Sequence, residues 1–189
     1  MELDDRYGLL TRRARVVDLG AAPGGWTQVA VERTGAGVRE GRVVALDVGE
    51  MEPVPGAEIL IGDVRDDDAP GRVLETLGGP ADAVLSDMAA PATGHAPTDG
   101  LRAVALGEAA LAFARQVLVP GGAIALKLLM GPSYEDLVAQ IKRCFGTVKL
   151  ARPKASRKES KEVYVIALGW RGPNGEGPDG PRGPRAERP

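Results

Sequence analysis

Val16-Val17-Asp18-Leu19-Gly20-Ala21-Ala22-Pro23-Gly24-Gly25-Trp26 decides how the rest of the chain is read. Four residues of buried-strand character run into a turn of small residues, and from Gly25 to about Arg33 the pattern turns helical. A strand, a glycine turn and a helix in that order open a βα unit, the building block of a parallel sheet. Small residues at such a turn let a ligand approach the backbone closely, and amides at the helix start can face its polar groups. The spacing is not the Gly-x-Gly-x-x-Gly of dinucleotide enzymes. Nor is it a phosphate loop, because Trp26 stands where that motif needs lysine. A ligand without phosphate fits better.

Further strands follow outward from this turn. Arg42-Val43-Val44-Ala45-Leu46-Asp47 is the second and Glu58-Ile59-Leu60-Ile61 the third. A polar helix from about Asp67 to Leu77 stops at Gly78-Gly79-Pro80. Ala83-Val84-Leu85-Ser86-Asp87 is the fourth strand, followed by a loop rich in Pro, Thr and Gly. Residues 101–118 form an amphipathic helix closed by Pro120-Gly121-Gly122, Ala123 to Leu129 a fifth strand, and Tyr134 to Cys144 a helix. Two more strands lie near 147–151 and 162–168. The alternation predicts an α/β fold with a mainly parallel, seven-stranded sheet and helices on both faces. The last two strands, in close succession, form an antiparallel hairpin at one edge. Residues 1–170 make one domain, and 171–189, all Gly, Pro and charge without periodicity, a disordered tail.

Composition narrows the function. A chain of 189 residues with 43% hydrophobic content can bury a core, while 4% aromatic content leaves few rings for stacking. The single cysteine, Cys144, excludes a disulfide framework and a Cys-rich metal site, and no metal is expected. No apolar stretch is long enough for a bilayer and no signal-peptide pattern is present, so the expectation is a cytoplasmic protein with no membrane partner. Residues 1–100 carry nine arginines, no lysine and eighteen acids, whereas residues 101–189 carry fifteen basic groups and eight acids. The sharpest stretch, Lys142 to Lys161, holds eight basic residues against Glu159 alone. Such asymmetry marks either a nucleic-acid face or a solvated surface.

In open α/β sheets the ligand sits beyond the carboxyl ends of the strands, near the switch in strand order. Asp47 ends the second strand, where a carboxylate can accept from both ribose hydroxyls of an adenosine. Asp63, after the third strand, is placed to meet the adenine amino group. Each could equally be a turn residue if it stood alone.

The chain resembles the FtsJ-type family of 2'-O-ribose methyltransferases, in particular its bacterial ribosomal RNA branch. The likeness spans Leu3 to Gly169. It rests on Val16 to Trp26, on Leu85-Ser86-Asp87-Met88-Ala89, on Pro120-Gly121-Gly122 leading to Lys127, and on Ser160-Lys161-Glu162-Val163-Tyr164. It implies a Rossmann-like, S-adenosylmethionine-dependent methyltransferase fold, with the cofactor contacted by Gly24, Trp26, Asp47, Asp63 and Asp87. It also implies a catalytic Lys-Asp-Lys-Glu set, of which Asp87, Lys127 and Glu162 occupy the last three positions. The substrate it implies is a uridine ribose in 23S RNA, methylated on the assembled 50S subunit.

A ribose hydroxyl is a poor nucleophile, and the methyl sulfonium is already activated. The enzyme must therefore align an in-line displacement and remove one proton. Lys127 lies in the apolar run Ala123 to Leu129, the desolvating surroundings that base catalysis by a lysine needs. The plain alternative is a strand-end lysine that snorkels to water. Asp87 and Glu162 would orient Lys127 and the hydroxyl. Arg152, Lys154, Arg157, Lys158 and Lys161, between the last two strands, are expected to contact RNA phosphates, which makes binding salt-dependent.

The family's first catalytic lysine lies upstream of the Gly-rich turn, and no lysine precedes Lys127 here. Met1 to Arg6 reads as the end of the helix that should carry it, which predicts a start at an internal methionine or a truncated basic arm. Arg6, Arg12 or Arg13 could supply the cation, though arginine is no equivalent. After Asp87 the chain reads Ala90-Pro91-Ala92-Thr93-Gly94 where the family has Pro and Asn. His95 reads as an exposed loop residue and Cys144 as a packing residue; Trp170, at the start of the tail, has no evident role.

Against an active, monomeric RNA methyltransferase stands a catalytically silent module that keeps the cofactor and RNA surfaces. A methyltransferase for protein or small molecules is disfavoured by the basic stretch. A nicotinamide oxidoreductase is disfavoured by the glycine spacing and the lack of a Tyr-x-x-x-Lys pair.

Overall fold

The computed structural model describes residues 2–131, 133–152 and 161–173, with the side chain of Ala96 left aside. Among these residues seven strands form one sheet in the order β3-β2-β1-β4-β5-β7-β6. The strands are β1 (Arg15–Leu19), β2 (Arg42–Asp47), β3 (Ala57–Ile61), β4 (Ala81–Ser86), β5 (Leu118–Leu129), β6 (Phe145–Ala151) and β7 (Glu162–Trp170). Strands β1 to β5 run parallel; β7 is antiparallel to both β5 and β6, so the edge hairpin is real.

The central strands β1, β2 and β4 are buried nearly throughout because helices cover both faces. On one face α3 (Ala69–Leu77), α4 (Ala96–Val117) and α5 (Tyr134–Cys144) pack Val73, Phe113 and Ile141 against Val17, Val84, Ile124 and Leu126. On the other, α1 (Glu2–Tyr7) and α2 (Gly25–Thr34) bring Leu3 and Ala30 onto Val16, Val43 and Leu85. The six-residue α1 is held by tertiary contacts. The Leu10 amide donates to the buried Asp4 carboxylate (2.7 Å), and Arg33 of α2 pairs with Asp4 and Asp5.

Three readings of the sequence need correction. Helix α4 begins at Ala96, not near 101: Pro97 suits a first helical turn, where its missing N–H is no loss, and Asp99 accepts from the Thr93 amide (2.8 Å) and hydroxyl (2.6 Å). Pro120-Gly121-Gly122 lies inside β5 rather than before it. The register against β4 slips there, from Ala81 opposite Leu118 to Ala83 opposite Ala123. Trp170 is the last residue of β7, 2% exposed, its ring 5.4 Å from that of Phe145. It is a core residue, and the expected 171–189 tail lies outside the described residues from 174 onward.

Strands β2 and β3 step away from β1 on one side and β4 and β5 on the other. The carboxyl ends of β1 and β4 therefore part at the switch in strand order, where a crevice must open.

Candidate active site

The turn after β1 admits only glycine at its first position. Gly20 has φ +69°, and a Cβ there would lie 2.9 Å from the Met88 Cα. The Gly20 amide donates to the Leu46 carbonyl (2.9 Å), tying the turn to β2. Asp47 laces the same two turns: its Oδ2 accepts from the Ala22 amide (3.0 Å) and its Oδ1 from the Gly49 amide (2.8 Å).

These turns wall a cavity of about 590 Å³. Asp47, Asp63 and Asp87 all line it, with Leu46, Val48 and Met88 among its apolar walls. Arg65 grips Asp63: its amide and Nε both donate to Oδ1 at 2.9 Å, and Nη2 donates to Oδ2. That bonding holds the Asp63 carboxyl down at about 2. Gly24 and Trp26 stand apart from the lining. The Cα of Gly24 (φ +110°) faces Met51 and Val54, and the Trp26 ring stacks on Tyr164 at 5.5 Å.

At the cavity rim Lys127 Nζ meets Asp87 Oδ1 at 2.8 Å; the lysine side chain is 15% exposed and the aspartate 34%. Lys127 does not snorkel. The Tyr164 hydroxyl donates to the same Asp87 oxygen at 3.2 Å. Burial, then the Asp87 charge and hydrogen bond, push the Tyr164 phenol well above its ordinary value, so it remains a donor. Tyr164 stands directly opposite Lys127 in the β5–β7 register, and Glu162 opposite Leu129. Because alternate strand residues share a face, Glu162, Tyr164 and Lys127 all lie on the α2 side. That period-two spacing from Glu162 was the signal that could have singled out Tyr164.

Asp18, fully buried under the start of α2, is a second residue the sequence did not single out. Its Oδ2 accepts from the Thr27 hydroxyl at 2.6 Å, while Oδ1 has no hydrogen-bond partner among the described residues. Burial above all pushes its carboxyl up to about 7; the Thr27 bond opposes this, and Asp87 and Asp47 add to it.

The basic segment is anchored at the end of β5. Arg152 Nη2 donates to Met130 Sδ (2.9 Å), and the Met130 amide donates to the Lys161 carbonyl (2.9 Å). Arg152 and Lys161 thus meet three residues beyond Lys127; Lys154, Arg157 and Lys158 lie outside the described residues. Arg6 sits over the Tyr7 ring and Arg13 pairs with Glu40. His95 precedes α4, its Nδ1 2.8 Å from Thr98 Oγ1.

A family model described as FtsJ-like methyltransferase matches residues 1–170. The ribosomal RNA large subunit methyltransferase E of Paramagnetospirillum magneticum is 55% identical over 174 residues, 91% of this chain and 71% of that protein. Its counterpart in Granulibacter bethesdensis is 52% identical over 175 residues, 93% of this chain and 74% of that one. Among solved structures, a ribosomal RNA methyltransferase from Plasmodium falciparum superposes with a TM-score of 0.80 at 26% identity, covering 90% of this chain and 94% of that one. A Streptococcus mutans methyltransferase solved with S-adenosylhomocysteine shares the fold alone, with a TM-score of 0.53 at 14% identity over 86% of this chain and 90% of that one.

Proposed function

The chain belongs to the FtsJ-like methyltransferase family, and from that membership we propose that it moves a methyl group from S-adenosylmethionine to the 2'-hydroxyl of a uridine ribose in 23S ribosomal RNA. The observation that carries the reading is the Lys127–Asp87 pair at 2.8 Å on the rim of the cavity. The residues present fit the cofactor. Gly20 and Ala22 bring the turn to the cavity wall, Asp47 makes one hydrogen bond on each oxygen among the described residues and so keeps acceptor sites for ribose hydroxyls, and Asp63 lines the same cavity. Gly24 and Trp26 act from the α2 side, shaping the turn and the Tyr164 contact.

S-adenosylmethionine held by Asp47, Asp63 and Asp87 would supply an electrophilic methyl carbon with a neutral thioether as its leaving group. Asp87 aligns the Lys127 amine by the 2.8 Å contact, and Tyr164 holds the same carboxylate oxygen. Lys127 Nζ, set at the rim beside Asp87, is the group placed to receive the proton of the ribose hydroxyl. Glu162, two residues before Tyr164 on the same face, orients the hydroxyl. Arg152 and Lys161, with Lys154, Arg157 and Lys158, contact phosphates of the substrate RNA. The substrate form is the assembled 50S subunit, and the enzyme acts as a cytoplasmic monomer.

The test is transfer of labelled methyl to large subunits lacking the modification, with cofactor binding measured on the same preparation. Incorporation that disappears with Lys127→Ala supports the assignment. Binding without incorporation favours the silent module.

A further inference from the structure

The far wall of the cavity ends at an ion pair whose geometry exceeds what a surface contact needs. An ionised carboxylate offers about four lone-pair sites. Arg65 fills three on Asp63, through its amide, Nε and Nη2. Among the described residues one acceptor position on Oδ2 is left, on a residue that lines the cavity. The turn carrying Asp63 is also pinned from outside, since Arg72 Nη2 donates to the Ile61 carbonyl (2.9 Å) and the Asp63 amide donates to Asp66 Oδ2 (3.1 Å). Arg65 and Val64 line the main cavity and also a second one, of about 290 Å³, bordered by Asp66, Pro70, Ala109 and Phe113.

We propose that Arg65 is a positioning and specificity residue for the adenine end of the cofactor. It locks the Asp63 carboxylate so that a single acceptor faces the exocyclic amino group, and it stands as the partition between the two cavities. This rests on the reading that an adenosyl cofactor occupies the main cavity. One remaining acceptor matches one amino N–H and repels a 6-oxo group. The guanidinium partition likewise blocks bulk on the amino nitrogen. Lysine keeps the charge but lacks the planar fork that takes both carboxylate oxygens, so it should not restore the orientation.

The experiment is calorimetric titration of the full chain with three probes, S-adenosylhomocysteine, S-inosylhomocysteine and N6-benzyl-S-adenosylhomocysteine, for wild type, Arg65→Ala and Arg65→Lys. Wild type is expected to prefer the adenine compound over the inosine compound by about tenfold or more. In both variants that preference collapses toward unity through weaker adenine binding, with inosine binding unchanged. In Arg65→Ala the N6-benzyl compound gains affinity as the second cavity opens. A general loosening of the loop would instead lower all three affinities together. Unchanged preference in Arg65→Ala overturns the role of Arg65 while leaving the cofactor site intact. Failure of wild type to bind S-adenosylhomocysteine overturns the cofactor reading itself.

Discussion

Lys127 Nζ stands 2.8 Å from Asp87 Oδ1, although the lysine belongs to β5 and the aspartate follows the last residue of β4. The parallel register that sets Ser86 beside Leu126 brings the two side chains to one strand-end level. Both polar groups find their partner at the rim, where a lysine in an apolar strand would otherwise carry an unpaired charge.

Removing the two members of this pair separates binding from chemistry. Lys127→Ala should lower methyl transfer by about 10²–10⁴-fold with cofactor affinity retained, since Lys127 is absent from the cavity wall. Asp87→Asn should lower both, because Asp87 lines the cavity and holds Lys127. Equal loss of cofactor binding in the two variants, measured by titration, would contradict the division of roles.

Tyr164→Phe removes one 3.2 Å hydrogen bond to a carboxylate and keeps the stack on Trp26. Turnover should fall by about tenfold while thermal stability barely moves. A loss of several degrees in Tm would show that the hydroxyl is chiefly structural.

Asp18 makes stability depend on pH. Its carboxyl titrates near 3.8 in the unfolded chain and about 7 in the folded one. Between those values the folded state keeps a proton that the unfolded state has released. The contribution is fully present below about pH 4, declines as pH rises and is lost above about 7. Asp18→Asn lacks this slope, so Tm measured from pH 5 to 8 should fall for wild type relative to the variant. Parallel profiles would show that Asp18 ionises normally.

Asp4→Ala strands the Leu10 amide, whose 2.7 Å acceptor is the buried Asp4 carboxylate. The expected cost is about 1–3 kcal/mol, read as a drop in the denaturant midpoint. Asp5→Ala removes an exposed contact with Arg33 and should cost less than Asp4→Ala. Equal effects would mean that α1 is held by its charges and not by that buried bond.

Phosphate contacts are tested by salt. Arg152→Ala and Lys161→Ala should each weaken binding of single-stranded RNA and reduce the log–log salt slope by about 0.7. A slope unchanged in both variants would remove these residues from the RNA surface.

Local chemistry explains what could be read without the structure. The Gly20 turn, the strand-end acids Asp47 and Asp63 and the buried strands are signalled by residue type and a period of two, which neighbours in sequence carry. The start of α4 was missed because Pro and Thr resemble a loop until Asp99 accepts from Thr93. The slip at Pro120-Gly121-Gly122 was missed because a bulge is defined only against its partner strand.

By itself the sequence determined the α/β order, the switch-point turn and the candidate lysine and carboxylates, because propensity and patterning act over a few residues. Only the tertiary structure decided that Lys127 faces Asp87, that Tyr164 shares that carboxylate, that Arg65 occupies Asp63 and that Asp18 is buried with one oxygen unpartnered among the described residues. Those facts depend on strand register and on removal from water, and both are set by residues distant in the chain.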